Sequence, residues 1–150
     1  MVKKNLLIIL GNQLFPLKYI KNTGCTDVFM SEDYGLCREQ KHHKLKILMF
    51  FLAMREYRNN LKNNGFKVHY HSIEDRDFKD SFEKKLSLVI KNNSIKHIHQ
   101  FELVDSFLKD KIKNVENVKS LSWTNHKNPM FILSKNDFKE YGNNKSNFLQ

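Results

Sequence analysis

The sequence predicts an α/β fold in which a five-stranded, mainly parallel sheet is doubly wound between helices. Segments with strand-like and helix-like patterns alternate along the chain. The first apolar run, residues 6–10, is unbroken, as in a strand that helices cover on both faces. The length of 150 residues suits one domain, and a composition of 40% apolar and 28% charged residues is typical of a globular protein.

The elements follow from local patterns in chain order. Strands are predicted at 6–10, 27–32, 66–73, 95–101 and 118–123, and helices at 42–64, 77–92, 105–113 and 134–141. Gly65 and Gly142 are predicted to end the first and last of these helices, and Asp77 is predicted to cap the second. Residues 47–54 are apolar almost all round, so the longest helix is expected to be covered on two sides. One cover would be its own sheet, and the other could be another helix, a partner subunit or a missing domain.

Charge and cysteine content bear on partners and location. A formal net charge of +10 fits a polyanionic partner such as nucleic acid, but a lysine-rich chain also results from an AT-rich genome. Cys25 and Cys37 are too few for a disulfide scaffold or a four-cysteine metal site, so a reducing, cytoplasmic setting is expected. No apolar run approaches the ~18 residues of a membrane span, so no membrane contact is expected.

The end of the first strand is the first candidate ligand site. Gly11 allows a sharp turn and the close approach of a ligand. Asn12 and Gln13 place two amides at the carboxyl end of the strand, where open α/β sheets bind their ligands. A buried strand that ends in an ordinary turn is the plainer interpretation of the same residues.

Other candidate chemistry is weaker. His69 and His71, like His97 and His99, stand two residues apart on predicted strands, so each pair shares one face of the sheet. Neither a cysteine nor an acidic residue accompanies them at ligand spacing, so we predict half-solvated strand faces and no metal ligands. The five glycines are scattered and form neither a P-loop nor a Gly-x-Gly-x-x-Gly motif. A self-sufficient nucleotide enzyme is therefore not expected.

Four segments, taken in order, resemble a known family. They are Leu-Gly-Asn-Gln-Leu (10–14), Val-Phe-Met-Ser-Glu (28–32), His-His-Lys-Leu-Lys-Ile with Ala-Met-Arg (42–47 and 53–55), and Asn-Pro-Met-Phe-Ile-Leu-Ser with Phe138 (128–138). This ordered set resembles the N-terminal domain of the deoxyribodipyrimidine photolyase-related proteins, the bacterial iron–sulfur branch of the cryptochrome/photolyase family. Asn12 stands where the family pattern has an aspartate.

The resemblance implies a domain organisation. Residues 1–142 would form a Rossmann-like, antenna-type α/β domain, and the polar tail 143–150 would lie where a larger helical domain begins. In the family that helical domain binds FAD and a four-cysteine iron–sulfur cluster and repairs pyrimidine lesions in DNA with light. The four cluster cysteines, the flavin site and the catalytic histidine that faces DNA in the family have no counterparts in this sequence. This chain is therefore not expected to be catalytic alone.

The resemblance also implies a ligand and its site. The antenna domain of the family can hold a lumazine-type chromophore, and by position Gly11, Asn12, Gln13 and Glu32 would lie at its pocket. Amides and a carboxylate suit a ring system rich in N–H and C=O groups with a ribityl chain. The expected partners are a separate FAD-domain chain and, only indirectly or weakly, DNA. The alternative is a basic nucleic-acid-binding or partner-docking module without a chromophore.

Overall fold

The computed structural model describes residues 4–39, 41–104, 111–112, 115, 121–133 and 135–144. Within them, the strands are β1 (Asn5–Ile8), β2 (Asp27–Ser31), β3 (Lys67–His71), β4 (His97–Phe101) and β5 (Ser122–His126). The helices are α1 (Leu17–Lys21), α2 (Tyr34–Glu39), α3 (Lys44–Asn63), α4 (Phe82–Asn93) and α5 (Lys135–Asn144). The strands form one sheet in the order β3-β2-β1-β4-β5, and every pairing is parallel. The predicted Rossmann-like α/β fold is confirmed.

β1 lies at the centre of the sheet and is buried on both faces, as its unbroken apolar run predicted. Leu6 and Ile8 belong to a core cluster that contains side chains of α4. Leu7 and Ile9 belong to a second cluster on the other face, which contains side chains of α1 and α3. Because successive side chains of a strand point to opposite faces of the sheet, β1 contributes to the core on both faces.

The ends of α3 follow from its sequence. The helix begins after His43, whose Nδ1 accepts a hydrogen bond from the Leu45 backbone N–H at 3.2 Å and so caps the first turn. Gly65 follows the helix with φ of 84°, the left-handed conformation that glycine adopts most readily. Met54 and Leu61 are the buried anchors of the inner face.

The outer face of α3 carries an apolar stripe. Leu45, Leu48, Met49 and Leu52 have the spacing i, i+3, i+4 and i+7, and their exposed fractions lie between 51% and 62%. Another helix of the described residues thus does not supply the expected second cover of α3, and cover by a partner subunit or a missing domain stays a prediction. The structure leaves this stripe open to solvent.

Two predicted helix boundaries were wrong. α4 begins after Ser81, whose Oγ accepts a hydrogen bond from the Lys84 backbone N–H at 3.2 Å, and Asp77 does not cap it. α5 continues through Gly142 to Asn144, and it crosses the predicted domain boundary at 142. The prediction of a helix at 105–113 lies largely outside the described residues. α1 and α2 were missed because they are too short to show helical periodicity.

The fifth strand was also misplaced. It covers Ser122–His126 instead of 118–123, and residues 116–120 lie outside the described part of the chain. Apolar periodicity did not identify β5 because most of its side chains are polar. These side chains form hydrogen bonds with polar side chains of β4. Among the described residues, no helix combines the length and the apolar content that crossing a bilayer requires.

Candidate functional site

The sheet has a topological switch point between β1 and β4. The chain passes from β1 to its neighbour β2 and returns later to the opposite side at β4. In open α/β sheets, ligands bind in the crevice outside the carboxyl ends of the strands at such a point. A cavity of about 210 Å³ lies there, lined by Leu10, Asn12, Gln13, Leu103, Val104, Asn128, Met130 and Phe131. These residues come from the segments that follow β1, β4 and β5.

Two buried carboxamides line this cavity. Gln13 and Asn128 are each 3% exposed, and their amide groups donate to the Glu102 carbonyl oxygen at 3.4 and 3.1 Å. The Asn128 Oδ1 accepts a hydrogen bond from the Met130 backbone N–H at 3.0 Å. The Gln13 Oε1, by contrast, is buried and has no hydrogen-bond partner among the residues that the structure describes. Because an unsatisfied buried acceptor costs about 1–3 kcal/mol, a ligand N–H or O–H at this atom would be favourable.

Apart from Asn12, the remaining wall of the cavity is apolar. Leu10 and Leu103 are buried, whereas Val104, Met130 and Phe131 lie exposed near the opening. Apolar walls with a few placed polar groups are the usual composition of small-molecule sites in general.

Gly11 lies where the end of β1 approaches α3, and its contact with a chromophore stays a prediction. A Cβ built on Gly11 would come 3.0 Å from Met54 Sδ and 3.4 Å from Phe50 Cδ1, both on α3. The φ of Gly11 is not in the left-handed region. Among the described glycines, Gly24 and Gly65 have a φ in that region. Gly11 therefore makes room for α3 against the end of β1, and it does not line the cavity.

Glu32, at the end of β2, is completely buried. Its carboxylate accepts hydrogen bonds from Arg55 Nε at 2.6 Å and Nη2 at 3.1 Å, from Tyr70 OH at 2.6 Å and from the Ile73 backbone N–H at 2.9 Å. Burial raises the pKa of Glu32, but these hydrogen bonds outweigh it, and the pKa lies below its usual value. Glu32 does not line the cavity described above, so its contact with a chromophore stays a prediction.

A histidine cluster lies on the face shared by β4 and β5. His99 Nδ1 and His126 Nε2 are 2.9 Å apart, and the rings of His97 and His99 have centroids 4.5 Å apart. The two nitrogens of His97 are engaged by Ser122 Oγ at 2.7 Å and Thr124 Oγ1 at 2.8 Å. Burial, and the neighbouring imidazoles, lower the pKa of His99 to about 4. The same causes lower the pKa of His126. His97 and His99 thus share a face, as their spacing predicted.

Only some of the predicted site residues lie together in the structure. Asn12 and Gln13 line one cavity, whereas Gly11 packs under α3 and Glu32 belongs to the ion-pair network. Asn128 is the functional candidate that the sequence analysis did not assign. It belongs to a segment that contributed to the family resemblance, and a correctly placed β5 would have put it at the carboxyl edge of the sheet.

Fold and cavity together define a Rossmann-like α/β domain with a cavity at its switch point. The family model described as deoxyribodipyrimidine photo-lyase-related protein matches residues 7–150. This chain therefore belongs to the deoxyribodipyrimidine photolyase-related proteins, as the motifs predicted. A (6-4) photolyase of Agrobacterium fabrum (strain C58) is 33% identical over 89 residues, which are 57% of this chain and 17% of that protein. The matched part is thus less than a fifth of the length of this relative.

Proposed function

We propose that this chain is the antenna domain of a photolyase-like protein linked to light-dependent DNA repair, and that its cavity binds a lumazine-type chromophore. Membership of the photolyase-related family supports the link to repair. The observation that carries the ligand proposal is the Gln13 Oε1, a buried acceptor without a partner on a residue that lines a cavity at the switch point.

The residues of the cavity have distinct roles in this proposal. A ring N–H donates to the Gln13 Oε1, and the amides of Asn12 and Asn128 bond to ring carbonyls or ribityl hydroxyls. Leu10 and Leu103 contact the ring faces and exclude water. Asn12 keeps the size and the hydrogen-bonding capacity of the family aspartate but contributes no charge. When bound, the chromophore would absorb light and pass the excitation to a flavin in the helical domain.

Replacing Gln13 by leucine tests the ligand proposal. We expect wild-type protein to bind a ribityl lumazine saturably, as followed by chromophore fluorescence, and the variant to bind at least about tenfold more weakly, because the buried hydrogen bond is lost. Gln100→Leu is the matched control, since it makes the same chemical change on β4 outside the cavity. Equal affinities of the two variants, or no binding by the wild type, would contradict the proposal.

We further propose that FAD and the iron–sulfur cluster belong to a helical polypeptide outside these 150 residues, and that it docks on the apolar stripe of α3. The chain has two cysteines, half the number that a four-cysteine cluster needs. The stripe offers leucine and methionine at the spacing of a helix–helix contact.

The docking proposal predicts that Leu48→Lys weakens association with a purified FAD domain of the family. A charge in the centre of an apolar helix contact should lower the affinity by at least about tenfold, measured by analytical ultracentrifugation. Leu88→Lys on α4 is the control, because Leu88 is 42% exposed and lies outside the stripe. The proposal fails if both variants bind as tightly as the wild type.

A further inference from the structure

One cluster of potential metal ligands lies away from the proposed chromophore cavity. His71 is the last residue of β3, and Asp75 and Asp77 follow it in the loop before α4. One ligand atom from each residue lies within 4.8 Å of the others, so the expectation that no acidic residue accompanies this histidine pair at ligand spacing was wrong for His71. β3 is an edge strand, whereas the cavity is built on β1, β4 and β5, so the two sites are separate.

The charged side chains around the cluster bear on whether its two carboxylates can take up a cation. Among the described residues, no lysine or arginine forms an ion pair with Asp75 or Asp77. Residues 74–80 carry four acidic and two basic side chains in a chain whose formal net charge is +10. Glu74 and Asp80 pair with Arg55 and Lys84, so Asp75 and Asp77 are the carboxylates of this segment without a lysine or arginine partner among the described residues, and they can take up a cation.

The cluster is also held in place. His71 Nδ1 and Asp77 Oδ2 lie 2.7 Å apart, and the imidazole packs against the Phe29 ring with centroids 5.7 Å apart. The Ser72 backbone N–H donates to Asp75 Oδ2 at 2.6 Å, which fixes the turn that brings the second carboxylate back towards β3. The side chains of His71 and Asp77 are 18% and 29% exposed, so an ion from solvent can reach them.

We propose that His71, Asp75 and Asp77 bind one divalent transition-metal ion of the zinc type. One imidazole and two carboxylates are a ligand set that zinc uses in open, three-ligand sites, and the imidazole disfavours Mg²⁺ and Ca²⁺. If Nδ1 is the ligand atom of His71, its proton moves to Nε2 or leaves, and Asp77 turns from the imidazole to the ion. The ion would tie the end of β3 to the loop that leads into α4.

The test uses the full chain without a histidine tag. Co²⁺ is added first, because its visible absorption reports the ligand set, and Zn²⁺ is then added as competitor. We expect one equivalent of Co²⁺ to bind, Zn²⁺ to displace it and to raise Tm, and millimolar Mg²⁺ to leave it bound. His71→Ala and Asp77→Asn should each weaken binding by at least about tenfold.

Two control variants separate this site from general charge effects. Asp80→Asn removes an acid that pairs with Lys84, and His69→Gln removes a histidine that contacts Asp27. Both should bind Co²⁺ as the wild type does. No saturable binding, equal binding by Asp77→Asn and the wild type, or displacement by Mg²⁺ would overturn the proposal. Because Asp77→Asn keeps the size of the side chain, it serves if His71→Ala does not fold, and circular dichroism verifies its fold.

Discussion

Arg55→Ala is expected to lower the free energy of unfolding by about 3 kcal/mol. The substitution removes two of the hydrogen bonds to the Glu32 carboxylate. It leaves a charge at 0% exposure with Tyr70 OH and the Ile73 N–H as its donors among the described residues. Removing one partner of a buried ion pair lowers the free energy of unfolding, because the remaining charge is neither hydrated nor paired with an opposite charge. Urea unfolding at pH 7 measures the loss directly.

Glu74→Ala is the matched control for this experiment. Glu74 contacts the same guanidinium through Arg55 Nη1 at 3.2 Å, but its side chain is 74% exposed. An exposed ion pair contributes about 0–1 kcal/mol, so this variant should be nearly as stable as the wild type. Equal losses for the two variants would contradict the structural role of the Glu32 pair.

The pH dependence of the Arg55 effect has a defined sign. The folded protein lowers the pKa of Glu32, so the folded state favours its ionised form. Its contribution is fully present above the pKa of an unfolded glutamate, about 4.3, and is lost as the pH falls through the lower, folded pKa. The stability difference between the wild type and Arg55→Ala should therefore shrink in strong acid.

The histidine cluster is expected to make the protein less stable in mild acid. His99 has a pKa of about 4 in the folded protein against an ordinary value of 6.5, so between these pH values the unfolded state binds a proton that the folded state does not. Stability is then complete above about pH 6.5 and falls by about 3 kcal/mol as the pH drops towards 4. The lowered pKa of His126 acts in the same direction.

His99→Gln tests the origin of that acid sensitivity. Glutamine keeps a hydrogen-bonding group beside His126 but does not titrate, so the slope of stability against pH between 4 and 6.5 should become clearly smaller than in the wild type. An unaltered slope in His99→Gln would show that other groups cause the acid sensitivity.

The fold was largely predictable because its strongest signals are local. The apolar run at 6–10 identified the central strand, and Gly65 fixed the end of the longest helix through its left-handed φ. β5 was misplaced because its exposed or half-buried side chains bond to β4 partners, as Asn125 does to Gln100 at 2.7 Å. Such pairing depends on which strands become neighbours, which periodicity within one segment does not reveal.

The candidate site was predictable only where one loop supplies it. Asn12 and Gln13 follow the central strand directly, so the rule for open α/β sheets found them. Asn128 reaches the same cavity from the end of β5, more than a hundred residues further along the chain. Glu32 was identified as a carboxylate at a strand end. No local pattern shows that Arg55 and Tyr70 donate hydrogen bonds to this carboxylate in the folded chain.

Whether the cavity binds a chromophore is decided by NMR of the side-chain amide groups during titration with a ribityl lumazine. The NH₂ signals of Asn12, Gln13 and Asn128 should shift together along one saturable curve, because all three carboxamides line the cavity. Those of Gln100 and Asn125, which bond to each other away from the cavity, should stay in place. Signals that do not saturate, or shifts confined to amides outside the cavity, would contradict the antenna assignment.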